Sequence, residues 1–265
     1  MVEIMKEICI GCGACVRECP VRNLTMENEK ASVKRSCMEC GHCFAICPQK
    51  AINISGYPSD GIIEFVNQTS LVNGEEFLRL IKSRRSIRDY QEKSIAKETW
   101  EKILEAGRFT ATSGNGQDLK YVVVQDELET VKKYVWDGFA ALIEQLKKSR
   151  GDTSPLVRQL RSMNAVHLAS QDDRLFFNAP ALLVITSASP LDGGLAASNI
   201  ELMAHAEGLG VLFSGFIQRA LALNEDACDY LKVEKTQICA CMLLGYPNVE
   251  YRRSVPRKAA QITWK

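Results

Sequence analysis

One cysteine pattern, written twice, constrains this chain more than any other feature: Cys9-x2-Cys12-x2-Cys15-x3-Cys19-Pro20 and Cys37-x2-Cys40-x2-Cys43-x3-Cys47-Pro48. Three thiolates at two-residue spacing suit one corner-sharing [4Fe-4S] cubane, while the fourth, leading into a proline, is directed to the other cubane. The expected ligand sets are therefore Cys9, Cys12, Cys15 and Cys47 for one cluster, and Cys37, Cys40, Cys43 and Cys19 for its mate. Structural zinc is the alternative, because thiolates also satisfy a tetrahedral ion. Zinc arrays commonly leave a long spacer between ligand pairs, whereas this doubled pattern leaves no ligand over. Gly11, Gly13 and Gly41 would let backbone amides approach sulfur, and apolar neighbours such as Ile10, Val16, Phe44 and Ile46 would limit water. His42 is expected as an exposed or sulfur-adjacent donor rather than a ligand.

These eight cysteines resemble the bacterial two-cluster ferredoxins over residues 1 to 56, which implies one-electron transfer at low potential. Lys50 to Ile54 reads as a short strand, with Leu24 to Met26 as its counterpart. The other three cysteines, Cys228, Cys239 and Cys241, form no comparable array and read as ordinary buried thiols.

Composition places the rest. With 46% hydrophobic and 25% charged residues in 265, the chain can bury one substantial core beside a small satellite domain. The net charge of +1 offers no field suited to a nucleic-acid backbone. Its most apolar stretches, such as Ala181 to Ala188, are too short to span a bilayer, and the opening residues carry no leader pattern. The expectation is a cytoplasmic protein without nucleic-acid or membrane partners.

Turn formers between residues 57 and 73, around one apolar segment from Ile62 to Val66, mark a linker, with breaks at Ser55-Gly56 and Pro58 to Gly61. From Gly74 the spacing turns helical. Phe77, Leu80 and Ile81 share a face, as do Trp100, Ile103 and Leu104 in a helix expected to be capped by Ser94. Tyr121 to Val124, Ala181 to Thr186 and Gln237 to Leu244 read as strands. Helices are expected over Leu128 to Leu146, after a break at Gly151 to Pro155, and over Ala196 to Leu209. The alternation indicates an α+β or α/β layered domain over 74–265, its strand order undetermined.

Three segments offer ligand chemistry. Arg84-Arg85-Ser86-Ile87-Arg88 and the later Arg252-Arg253 and Arg257-Lys258 can supply charge-assisted hydrogen bonds to a phosphate, or simply form a solvated surface. Thr112-Ser113-Gly114-Asn115-Gly116-Gln117 is a polar turn holding both donors and acceptors. Ser214-Gly215 follows an apolar run and presents backbone amides. No glycine fingerprint stands in a strand-turn-helix context, so a separate NAD-binding Rossmann domain is not indicated.

In order along the chain, RRSIRDY (84–90), ATSGNGQDLKYVVV (111–124), NAPALLVIT (178–186), AEGLG (206–210), GYP (245–247) and VPRK (255–258) resemble the nitroreductase family over residues 74–265. The resemblance implies a homodimer around a mixed sheet and helices, with FMN at the subunit interface. Arg84, Ser86 and Arg257 would hold its phosphate, with Arg85 in support and Arg88 near the pyrimidine side of the ring. Thr112, Ser113 and Asn115 would come from the partner subunit, Gln117 would lie close by, and the backbone of Ser214 and Gly215 would face flavin N5. Asp118 and Leu119 depart from the usual proline and aromatic. Ser214 replaces an acidic residue found in some members.

The combined expectation is an α+β protein, a ferredoxin-like two-cluster domain followed by a nitroreductase-like mixed α/β sandwich. Two [4Fe-4S] clusters would pass electrons from a low-potential redox protein to FMN, and FMN to a nitroaromatic, quinone or activated alkene. The alternatives are a flavin enzyme taking hydride directly from NAD(P)H, and a non-catalytic electron-delivery module. No proton donor is assigned. His205 reads as a structural histidine of a core helix, Asp192 and Glu201 are equally plausible as helix-cap or packing residues, and His167 is given no role.

Overall fold

The computed structural model describes residues 1–57, 61–65, 72–170 and 172–265, and the chain divides into two units, Met1–Ser70 with Thr112–Gly116, and Leu71–Ala111 with Gln117–Lys265. The expected break at Pro58 to Asp60 and the end of the apolar segment at Val66 lie outside the described residues.

The first unit contains β1 (Val2–Ile4), α1 (Ala14–Glu18), β2 (Leu24–Glu27), β3 (Lys30–Val33), α2 (His42–Ile46) and β4 (Ile52–Ile54). β2 and β3 form a hairpin whose two turn residues, Asn28 and Glu29, both have positive φ, at 48° and 62°. That geometry matches the twist of adjacent strands. Its short loop closes at little entropic cost, so β2 pairs with β3 and not, as expected, with the segment after Lys50. β4 instead pairs antiparallel with β1, Val2 opposite Ile54 and Ile4 opposite Ile52. Val2, Leu24, Ala31, Ile52, Cys15 and Cys43 are buried together.

The expected ferredoxin-like two-cluster domain is corrected here. Cys9, Cys12, Cys15 and Cys47 line one cavity, and Cys19, Cys37, Cys40 and Cys43 line a second. Among the described residues, no group of three or more His, Cys, Asp or Glu side chains stands as a site for a metal ion.

The second unit contains α3 (Gly74–Ser83), α4 (Lys97–Arg108), β5 (Lys120–Val124), α5 (Leu128–Arg150), α6 (Pro155–Ser170), β6 (Ala181–Thr186), α7 (Pro190–Ala206), β7 (Gly210–Phe213), α8 (Gly215–Ala222), α9 (Glu225–Leu231) and β8 (Ile238–Gly245). Its sheet runs in the order β5-β6-β8-β7 with every neighbouring pair antiparallel. The mixed sheet implied by the resemblance thus reduces to a parallel bridge, Ser86 to Val211, at the β7 edge.

Successive strand residues point to opposite faces, and both faces are covered. Leu182, Val184, Cys241 and Leu243 pack with α5, α6, α8 and α9. Leu183, Ile185, Ala240 and Met242 pack with Trp100 and Ile103 of α4 and with Ala197, Ile200 and Ala204 of α7. This two-sided burial explains why β6 reads as an unbroken apolar run. Gly151, with φ 83°, ends α5, and Pro155 opens α6, as the expected break requires. The cap of α4 is different: Ala96, not Ser94, occupies the N-cap position, and no side chain caps that helix.

α5 and α8 approach so closely that a Cβ on Gly138 would fall 2.1 Å from the carbonyl oxygen of Ala220. Backbone cannot yield as a flexible side-chain end does. Replacing Gly138 with Ala is expected to cost about 1–3 kcal/mol, read as a lowered denaturation midpoint for the second unit.

Candidate functional site

Arginine-bearing residues 84–88 leave α3 and run beside β7. The amide of Ile87 donates to the carbonyl of Val211 (3.0 Å), and Ser86 bridges to the same residue. Gly210 makes this approach possible, since a Cβ there would lie 2.4 Å from Cγ1 of Ile87. β7 leads directly into Ser214 and Gly215. The structure therefore brings together Arg84, Arg85, Ser86 and Arg88 on one segment and Ser214 and Gly215 at the end of the neighbouring strand.

Each arginine has a distinct environment. Nη1 of Arg84 donates to Oε1 of Glu201 at 2.9 Å. Arg85 lies 5.8 Å from the ring centre of Tyr251, and its Nε is buried with no hydrogen-bond partner among the described residues. The Arg88 guanidinium stands 5.9 Å from the Phe177 ring. A buried guanidinium nitrogen without an acceptor is unfavourable alone.

Ser214 caps α8, its hydroxyl accepting from the amide of Ile217 at 3.3 Å. Its backbone is committed as well, the amide donating to the carbonyl of Cys241 at 2.8 Å and the carbonyl accepting from the amide of Gln218 at 3.1 Å. Asp118 is likewise committed. Its carboxylate accepts from the Ala188 amide at 2.7 Å and the Ser187 hydroxyl at 2.9 Å, and those two bonds, in that order, hold its pKa below the ordinary value. The departure from the usual proline thus acts as a loop tether. Gln117 has a positive φ of 47° in the second unit, and Arg257 lies in an exposed terminal segment.

Thr112, Ser113 and Asn115 belong to the first unit. The side-chain amide of Asn115 donates to the carbonyls of Met38 and Glu39, at 3.0 and 3.1 Å. Backbone amides of Asn23, Glu39 and Ala51 donate to the sulfurs of Cys19, Cys37 and Cys47, at 3.1, 3.3 and 3.3 Å. The amides of Ala31 and of Gly11, one of the glycines expected in that role, also reach the sulfur of Cys9 and lower its pKa. His42 is exposed and borders the second thiol-lined cavity.

Two residues beside Arg84 were legible only as packing. Glu201 is buried on α7, and burial raises its carboxyl pKa against the opposing effect of Arg84. His205, one turn later, shares a 2.8 Å hydrogen bond with the Ser83 hydroxyl. Their four-residue spacing was the available signal, since it places both on one helix face. His167 stacks on Trp136 at 3.7 Å, a structural role.

Comparison with known proteins is informative for both units. Residues 81–246 match the model of the nitroreductase family, and residues 1–48 match a 4Fe-4S dicluster domain. An Archaeoglobus fulgidus protein, provisionally named NADH dehydrogenase/NAD(P)H nitroreductase, is 44% identical over 180 residues, covering 66% of this chain and 88% of its own. Two solved nitroreductases with bound FMN share the fold. That from Bacteroides fragilis has a TM-score of 0.56 at 20% identity, covering 71% of this chain and 99% of its own. That from Desulfitobacterium hafniense has 0.55 at 23%, covering 71% and 98%. For the first unit, the motif match and the absence of a gathered metal-ion site point in different directions. The expected pair of [4Fe-4S] clusters, and the iron-sulfur relay built on it, are accordingly corrected.

His205 generates a pH prediction. Burial, followed by the charge of Arg84, lowers its pKa from the ordinary 6.5, so the folded state favours the neutral ring. The unfolded chain then binds more protons below that value, and stability rises with pH. The contribution should be complete above about pH 6.5 and decline as pH falls through the window beneath it. His205→Gln should flatten that part of a melting-temperature profile, with Arg84 and Glu201 unchanged.

Proposed function

We propose a function from one premise: this chain belongs to the nitroreductase family. It is an FMN-dependent oxidoreductase of the nitroreductase type. Bound FMN supplies two-electron chemistry, accepting and donating hydride. We take NAD(P)H as the direct hydride donor, in line with the name of the A. fulgidus relative, and a small electrophile such as a nitroaromatic or quinone as the acceptor.

The observation that carries this reading is the 84–88 segment fixed against β7 immediately before Ser214 and Gly215. The donor set fits FMN. Arg84 and Ser86, joined by Arg257, hold the phosphate, and the buried, unpartnered Nε of half-buried Arg85 supports reading the segment as one that takes an acceptor. Arg88 places positive charge where the reduced ring accumulates negative charge. The amide of Gly215, at the start of α8, faces the reacting edge, while the amide of Ser214 is held by Cys241 and its hydroxyl by the helix cap.

The active form is a homodimer with its flavin sites at the subunit interface. Thr112, Ser113 and Asn115 reach the flavin of a second copy, and Gln117 lies close by. The exposed apolar residues Phe77, Leu78 and Ile81 on α3 support such an association. No helix among the described residues is long and apolar enough to cross a membrane, which supports placing the enzyme in the cytoplasm.

Anaerobic mixing of the purified flavin-loaded protein with NADH or NADPH tests the donor. One FMN per chain, bleached by at least one nucleotide and reoxidised by a nitroaromatic or quinone, is the expected result. Flavin that stays oxidised under excess of both nucleotides overturns direct hydride transfer.

A further inference from the structure

The arginine assigned to the phosphate begins a segment that its own helix holds weakly. α3 has no buried side chain, and Phe77, Leu78 and Ile81 remain exposed. At its C-terminal end two polar ties reach one face of α7: Ser83 to His205 at 2.8 Å, and Arg84 to Glu201 at 2.9 Å. α7 is a firm anchor, since Ala197, Ile200 and Ala204 are fully buried beneath it.

We infer that Glu201 is a positioning residue for flavin phosphate, holding the Arg84 guanidinium in the orientation that presents its outer edge to the ligand. The inference rests on the reading of Arg84 as a phosphate ligand. The Glu201 side chain is 10% exposed on a helix anchored by its buried face and cannot follow a moving arginine, whereas the Arg84 side chain is 26% exposed and faces both partner and solvent. A guanidinium has five N–H donors in a rigid fork, and the bond to Glu201 engages Nη1, leaving donors for a second acceptor. Fixing one edge removes rotamer freedom that binding must otherwise remove.

Competition is the opposing effect, since a carboxylate also draws on the charge a phosphate would use. Geometry decides against it. Glu201 loses its charge partner if Arg84 leaves, and an uncompensated buried carboxylate is strongly unfavourable. The pair should therefore persist when phosphate arrives, with the ligand adding to it.

Riboflavin and FMN differ only by the phosphate, so their affinities for the full-length, flavin-stripped chain separate orientation of Arg84 from general damage. Glu201→Leu should weaken FMN binding by about tenfold or more, equivalent to about 1.4 kcal/mol, while riboflavin affinity is preserved. Glu201→Gln keeps an acceptor oxygen for the guanidinium and should restore most of the FMN preference. Equal loss of both flavins, an unchanged FMN-to-riboflavin ratio, or tighter FMN binding in Glu201→Leu would overturn the positioning role. Arg84→Met separates the two levels of the argument. If it leaves the FMN-to-riboflavin ratio intact, Arg84 is not a phosphate ligand and the underlying reading fails. If it abolishes the ratio while both Glu201 variants retain it, only the role of Glu201 fails.

Discussion

Burial of both faces of the β6–β8 pair is the constraint on which the second unit depends. Leu182, Leu183, Val184, Ile185, Met242 and Leu243 are wholly inaccessible, and covering them requires a helical layer on each side. α7 supplies part of one layer. Its apolar residues secure the helix, and the same helix carries Glu201 and His205 toward the arginine segment. Packing and ligand geometry are thus two consequences of one placement.

Legibility followed local pattern. β6 and β8 were apparent as short apolar runs, and α5 and α6 from their periodicity with Gly151 and Pro155 between them. β7 was obscure, because Val211 to Phe213 is brief and sits between glycines and Ser214. The β2–β3 hairpin was missed because Asn28-Glu29 lacks the glycine that usually marks a two-residue turn. Strand order depends on pairing across long sequence separations, as in Val211 opposite Leu244, and no local pattern encodes it.

For the site, residue type located Arg84 to Arg88, and family resemblance ordered the other segments. The buried pairing of Arg84 with Glu201 was hidden because those residues lie far apart in sequence and a carboxylate on a helix usually faces solvent. The cysteine repeat illustrates the opposite case. Spacing grouped the eight thiols into two sets of four, and the same sets line two cavities. Thiols bordering a cavity and thiols gathered around a metal ion are nevertheless different arrangements, and spacing alone does not separate them.

A final consequence follows from the committed carboxylate of Asp118. It grips Ser187 and Ala188, the Ser187 hydroxyl accepts from the Ser189 amide, and the Ser189 hydroxyl caps the start of α7. The helix behaves as a stiff rod of about 1.5 Å per residue, so an axial slip at this end would reappear undiminished at the far end. The stretch of chain ahead of β5 therefore acts as a thrust bearing, setting how far along its length the rod can slide.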